Sequence, residues 1–239
     1  MKAVPVALSV VVPAFNEEVL LAGAIRDLRH SLDELRLAAE IIIVNDGSRD
    51  RTGEIADTLA REFAGVVAHH QANQGIGGAF RTGAARATGE YLMLWPADMP
   101  ATALSLAPYA DHFGRADVIV GVRRQRLGYN PLMRFNSWLY PQIVAGLFGL
   151  RLRDVNWIHA YRRTWFLRIT LTQRGIPMLT EVLVRLRDLG ALIVEVEVDM
   201  KARLGGVSSA SRPRVMWRTL TGLISLWRIW RREPHPRNP

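Results

Sequence analysis

The sequence predicts an α/β fold: a mostly parallel sheet sandwiched by helices, followed by a C-terminal amphipathic helix. Three observations carry this. Strand-like and helix-like segments alternate through the first half, as in parallel strands joined by helical crossovers. The strand-like runs are continuous and β-branched, which suits strands covered on both faces. A chain of 239 residues, 49% apolar and 22% charged, suits one large domain of this class, or a domain with a small appendage.

Each element has its own signal. "VALSVVVPA" is the first strand, and the apolar N-terminus reads as part of it rather than as a signal peptide. "NEEVLLAGAIRDLRHSLDEL" has helical spacing, with Asn16 placed to cap it and Glu17 and Glu18 in its first turn. "EIIIVNDGS" is a second strand, and "DRTGEIADTLAREF" a second helix with Asp50 as N-cap. A short third strand, "GVVAHHQ", leads into the Gly- and Ala-rich helix "GIGGAFRTGAARATG", with Gly89 at its end. "EYLMLW" and "ADVIVGVRRQ" are further strands. Beyond them, "NPLMRFNSWLYPQIVAGLFGLRLRD" is apolar and helical on either side of Pro141, and "VNWIHAYRRTWFLRI" is aromatic-rich. "TEVLVRLRDLG" is a helix closed by Gly190, "ALIVEVEVDM" a strand, and "ARLGGVSSASRPR" a Gly/Ser loop between arginines.

Composition narrows the chemistry. A formal charge of +9 and a pI near 10.8 favour anionic partners. Nucleic acid is set aside, because net charge alone speaks for it and no helix-turn-helix or single-strand-binding signature is present. The absence of cysteine excludes disulfides and Cys-ligated zinc or iron–sulfur clusters. No run reaches the ~18 uninterrupted apolar residues of a spanning helix. In the segment 212–232, Trp217, Leu220, Leu223, Ile224, Trp227 and Trp230 recur at helical spacing among arginines, the pattern of a helix lying in a membrane interface. The alternative is a helix docked on the protein itself or on a second subunit. The apolar 131–150 segment is a second lipid-facing surface or a buried helix pair.

Polar residues gather where the strands should end: Asn16 and Glu17, Asn45 and Asp46, Asn73, and Asp98 in "EYLMLWPADMP". In parallel α/β sheets ligands bind beyond these carboxyl ends. "VVPAFNEE", "IIIVNDGSRDRT" and "NQGIGGAFRTGAARATGEYLML", in this order, resemble the family 2 glycosyltransferases. "GVRR", "LFGLRLRDVNWIHAYRR", "EVLVRLRDLGALIVEVEV" and "RLGGVS" narrow the resemblance to the polyprenyl-phosphate sugar transferases, the dolichyl-phosphate-mannose-synthase-like branch.

The resemblance implies a GT-A-type nucleotide-diphospho-sugar transferase fold over residues 1–211; the spacing predicts a basic amphipathic helix over 212–232, and the Pro-rich polar composition a disordered tail over 233–239. The resemblance also implies a nucleotide diphospho-sugar donor, a polyprenyl-phosphate acceptor and Mg2+ or Mn2+. The expected location is cytoplasmic, peripheral at the inner membrane face, with a membrane-protein partner. Donor binding falls to Pro13, Ala14, Phe15, Glu17, Asn45, Asp46, Asn73, Gly75, Ala97, Asp154 and Ser208. Asp98 stands where the family ends this strand in an acid-x-acid pair that holds the metal. Here the frame reads Pro96-Ala97-Asp98, so the first acid is missing. A hard divalent ion needs only one or two carboxylates when the substrate brings phosphates, so Asp98 alone can suffice as the protein's metal ligand; the alternatives are metal binding weakened by the loss and metal-independent turnover with arginine in its place. Arg203 in "RLGGVS" is expected to grip the diphosphate and Arg123 the acceptor phosphate, with Arg134 as a further candidate.

Many family members carry a Glu-Asp pair as base, but here Glu181 is followed by Val182. A phosphate acceptor needs no base, whereas a sugar hydroxyl does. Glu181 is then expected to orient substrate, or to act as base for a hydroxyl acceptor. His159 is expected to be a core or rim histidine with satisfied partners. Two other readings are a transferase acting on a saccharide hydroxyl and a silent nucleotide-sugar-binding subunit; Pro96 favours the latter.

Overall fold

The computed structural model describes residues 6–99, 101–125, 129–199 and 213–233. A seven-stranded sheet has the order β3-β2-β1-β4-β6-β5-β7. Its strands are β1 (Leu8–Ala14), β2 (Ala39–Asp46), β3 (Val66–Gln71), β4 (Tyr91–Leu94), β5 (Val118–Arg123), β6 (His159–Arg162) and β7 (Ile193–Val198). All pair in parallel except β6, which runs antiparallel between β4 and β5.

Alternation along the strands builds two cores. Val10, Val12, Ile41 and Ile43 face α1 (Leu21–Glu34), α2 (Thr52–Glu62) and α4 (Ala103–Ala110). Val11, Ile42 and Val44 face the opposite layer, formed by α3 (Gly75–Arg86), α5 (Pro131–Phe148), α6 (Arg163–Phe166), α7 (Pro177–Asp188) and α8 (Pro213–Trp230). Every inward side chain on these strands is removed from water, which is why the runs carry no polar alternation.

Several local expectations change. The first helix begins at Leu21, not Asn16, because Asn16 adopts a left-handed conformation (φ 56°) and bonds a neighbouring loop instead. The α5 helix runs unbroken through Pro141, with Asn130 capping its start through a 2.8 Å bond from the Met133 amide. Gly89 does not cap α3, which ends at Arg86; it packs against Ser9, whose hydroxyl accepts its amide at 2.8 Å. Gly190 does follow the end of α7 in a left-handed conformation (φ 86°).

The α8 helix splits its apolar set. Leu223 and Leu226 are buried, and Trp230 donates to Asp188 at 2.6 Å and packs edge-on against Phe148. Trp217, Leu220 and Ile224 remain exposed. Docking on the protein therefore accounts for one face and leaves another. No helix among the described residues is long and apolar enough to cross a membrane. The loop holding Arg203, Gly206 and Ser208, and the tail from Pro234, lie outside the described residues.

His159 is buried in the sheet, as a core histidine is expected to be, with the Val155 and Ile158 backbone acting on its ring. Burial drives its pKa down to about 4, with the nearby Asp154 carboxylate opposing. The folded protein thus refuses a proton that the unfolded chain accepts below its ordinary pKa near 6.5. Stability should fall as pH drops from about 6.5 to about 4, by on the order of 3 kcal/mol. Urea unfolding of His159→Phe beside the wild type, at a series of pH values, should show a shallower acid decline in the variant.

Candidate active site

Topology concentrates polar groups along one edge. The parallel strands β1, β2, β4 and β5 all end there, and because β6 runs the other way, the segment before it returns to the same edge. Ala14, Asp46, Asp98, Arg123 and Asp154 therefore come from chain-distant positions to neighbouring strand ends.

The loops after β1 and β2 are strapped together. Ser48 Oγ accepts the Asn16 amide at 3.0 Å, and Asn16 Oδ1 accepts the Arg49 amide at 2.9 Å. Thr52 Oγ1 accepts the Glu17 amide at 2.8 Å, while Asp50 accepts the Glu18 amide and Glu18 the Arg51 amide, each at 3.2 Å. Backbone groups that would otherwise face water are satisfied across the two loops, fixing a rigid platform at the sheet edge. Pro13 and Glu17 are half-buried beside it, Ala14 and Ala97 are buried, and Phe15 and Asn73 are exposed.

Asn45 and Asp46 have structural partners. Asn45 accepts the Ser48 amide at 3.1 Å and meets His70 Nδ1 at 3.0 Å. Asp46 accepts Gln71 Nε2 at 2.6 Å and the Gln74 and Gly75 amides at 2.8 Å each. Its carboxylate thus satisfies the open N–H groups at the start of α3, where the helix dipole also favours negative charge. Gly77 continues this contact: its amide bonds Arg174 O at 3.0 Å, and a Cβ there would lie 2.9 Å from Gln173 O.

Asp98 sits half-buried just past β4. Burial raises the Glu17 pKa, and the charges of Asp98 and Asp50 raise it further. The carboxylates of Glu17, Asp98 and Asp50 therefore lie close enough to act on one another. No group of three or more metal-binding side chains exists among the described residues. The donors present are hard carboxylate oxygens, which fit Mg2+ or Mn2+ when phosphate and water complete the shell.

Arg123 and Asp154 form a buried, two-pronged pair, Nε to Oδ2 at 2.7 Å and Nη2 to Oδ1 at 2.9 Å. Arg123 Nη1 also donates to Tyr129 Oη at 2.6 Å, and the guanidinium lies over the Trp157 ring, 4.7 Å from its centroid. The Arg123 pKa is raised: the Asp154 carboxylate overcomes a burial penalty that alone would lower it. Gly121, two residues earlier, leaves room for the Tyr109 hydroxyl, which bonds Ile158 O at 2.8 Å. A side chain at Gly121 would collide with that hydroxyl.

Arg123, expected to grip the acceptor phosphate, is thus already paired with Asp154. Asp154 offsets its charge, and Asp154 and Tyr129 take up three of its five N–H groups. Arg134 is exposed, with Nε on Tyr129 O at 3.3 Å. Tyr129 and Trp157 were not singled out from the sequence; an aromatic next to an arginine-rich strand end carries no distinctive spacing.

Glu181 is also reassigned. It is fully buried, and its oxygens accept the Thr172 and Gln173 amides at 2.8–2.9 Å, Thr172 Oγ1 at 2.8 Å and Arg185 Nε at 3.0 Å. This carboxylate ties down the 172–173 segment instead of presenting a base.

Residues 9–175 match Glycosyl transferase family 2. The chain belongs to that family. This glycosyltransferase is 30% identical over 217 residues to the undecaprenyl-phosphate mannosyltransferase of Micrococcus luteus, covering 84% of this chain and 86% of that protein. It is also 30% identical over 168 residues to the undecaprenyl-phosphate 4-deoxy-4-formamido-L-arabinose transferase of Pseudomonas aeruginosa, covering 69% of this chain but only half of that protein. Its fold matches Mycobacterium tuberculosis glucosyl-3-phosphoglycerate synthase, solved with Mn2+, uridine diphosphate and phosphoglyceric acid. That match has a TM-score of 0.70 at 19% identity, over 92% of this chain and 78% of that one. The GT-A architecture is therefore shared, and neighbours of this fold have been crystallised with Mn2+ or Mg2+.

Proposed function

We propose that this glycosyltransferase moves a sugar from a UDP- or GDP-sugar to a polyprenyl phosphate, with inversion, while resting peripherally on the inner face of a membrane. The observation that carries this reading is the saturation of Glu181. With no base at that place, an acceptor that is already an anion is favoured over a neutral hydroxyl. The relative from Micrococcus luteus, similar over nearly its whole length, supports the same acceptor class.

An oxygen of the acceptor phosphate attacks the anomeric carbon as the bond from that carbon to the diphosphate oxygen breaks. The products are a glycosyl-phospho-lipid and a nucleoside diphosphate, and no proton changes hands. Negative charge grows on the leaving diphosphate, so groups that stabilise it accelerate the step. Asp98 would hold Mg2+ or Mn2+, which when bound supplies that neutralisation. Arg203 is proposed as the second cation, with Ser208 as a further donor. Glu17 and Asp46 line the nucleoside end, with Pro13, Ala14, Phe15, Asn45, Asn73, Gly75 and Ala97 around it. Asp154 faces the sugar.

The test supplies UDP- and GDP-sugars, Mg2+ or Mn2+, and one acceptor at a time. Nucleoside diphosphate release that requires undecaprenyl or dolichyl phosphate is the expected result. Release that requires a saccharide instead contradicts the reading, and binding without turnover in excess metal points to a silent subunit.

A further inference from the structure

Between α5 and α8 lies a cavity of about 540 Å3, within the size range of small-molecule sites. Its walls are apolar: Leu132, Met133, Ile143, Met216, Leu220 and Leu223 contribute. Polar groups include Arg123, Tyr129, Asp154 and Asn156, which come from the sheet edge where the donor is proposed to bind. The charges of Arg123 and Asp154 cancel in their 2.7 and 2.9 Å pair, so the cavity is an apolar slot without a strong net field.

Such a slot suits a hydrocarbon chain whose polar head stops at the strand ends. Its flanks continue the theme outside. Leu132, Phe135 and Trp138 on α5 and Trp217, Leu220 and Ile224 on α8 are exposed. Arginines Arg134 on α5 and Arg218 and Arg228 on α8 are exposed among them. Exposed tryptophan beside arginine is the pattern of a surface that meets anionic lipid headgroups.

We propose that this cavity binds the isoprenoid units nearest the phosphate of the acceptor, the rest of the chain leaving between α5 and α8 into the bilayer. The inference rests on the polyprenyl-phosphate reading and adds where the chain lies. The volume admits a short run of isoprene units and not a long polyprenyl chain. Affinity should therefore rise with chain length only until the slot is filled.

Binding is measured by calorimetry without donor or metal, using inorganic phosphate, isopentenyl phosphate and farnesyl phosphate. Farnesyl phosphate should bind at least tenfold tighter than isopentenyl phosphate, and inorganic phosphate weakest. Met133→Trp and Ile143→Trp, which fill the slot from a half-buried wall, should each remove at least tenfold of the farnesyl affinity and leave UDP or GDP binding within twofold. Leu220→Trp fills it from an exposed position, in case the others fold poorly. Equal affinity for farnesyl and isopentenyl phosphate in the wild type overturns the proposal, as does undiminished farnesyl binding in folded, filled variants. Chain-length discrimination without any nucleoside diphosphate release upholds the slot and defeats the transfer reading. Transfer to polyprenyl phosphate that the filled variants perform undiminished does the reverse.

Discussion

Asp98→Ala is expected to lower sugar transfer by about a thousandfold, on the order of 4 kcal/mol of transition-state stabilisation, while the protein stays folded. The size follows from the missing partner: proline occupies position 96, so no neighbouring acid in that frame takes over a lost metal ligand. The fold should survive because Asp98 is a half-buried loop residue beyond β4, and truncating it opens no core cavity. A second readout separates charge from packing. Part of the rise in the Glu17 pKa comes from the Asp98 charge, so the variant's Glu17 should titrate lower than in the wild type when followed by NMR. Full residual transfer would remove the metal assignment.

Breaking the Arg123–Asp154 pair should produce the largest loss of stability. Both side chains are almost fully buried, 7% and 2% exposed, so removing either leaves the other charged and desolvated. Arg123→Ala or Asp154→Ala should each cost about 3–5 kcal/mol, a large share of the ~5–15 kcal/mol that holds a typical domain together. Replacing both with apolar residues, as in Arg123→Met with Asp154→Leu, should cost less than the sum of the single losses, because no orphaned charge remains. Urea unfolding of the four proteins measures this. Arg123→Lys should also lose stability, since an ammonium cannot reproduce the two-pronged contact or the packing on Trp157.

These two sites mark where sequence reading succeeded and where it stopped. Strand runs such as "EIIIVND" are visible because burial on both faces demands unbroken apolar residues. The placement of Asp46 and Asp98 at strand ends follows from the same periodicity. What the chain does not announce is pairing across long separations. Arg123 and Asp154 each stand out in the sequence, but their union depends on β6 running antiparallel, and an aromatic-rich stretch does not reveal strand direction. Glu181 was read by its neighbour Val182, while its actual partners, Thr172 and Gln173, sit in an irregular segment with no periodic signal. The α4 helix was likewise missed: eight residues with Pro108 inside give little helical pattern, and its Thr102–Ser105 capping box holds its start. Asn16 shows the opposite error, since a good N-cap residue before a helical run bonded across to the next loop instead.

Manganese binding tests most directly whether one carboxylate anchors the cation of the donor's diphosphate. Mn2+ titrated into the protein with UDP or GDP present, and followed by electron paramagnetic resonance, should bind at one site in the wild type. Asp98→Ala should weaken it at least tenfold, and Pro96→Asp, which restores the second acid, should tighten it. Equal Mn2+ affinity in the wild type and Asp98→Ala would contradict a metal site built on Asp98.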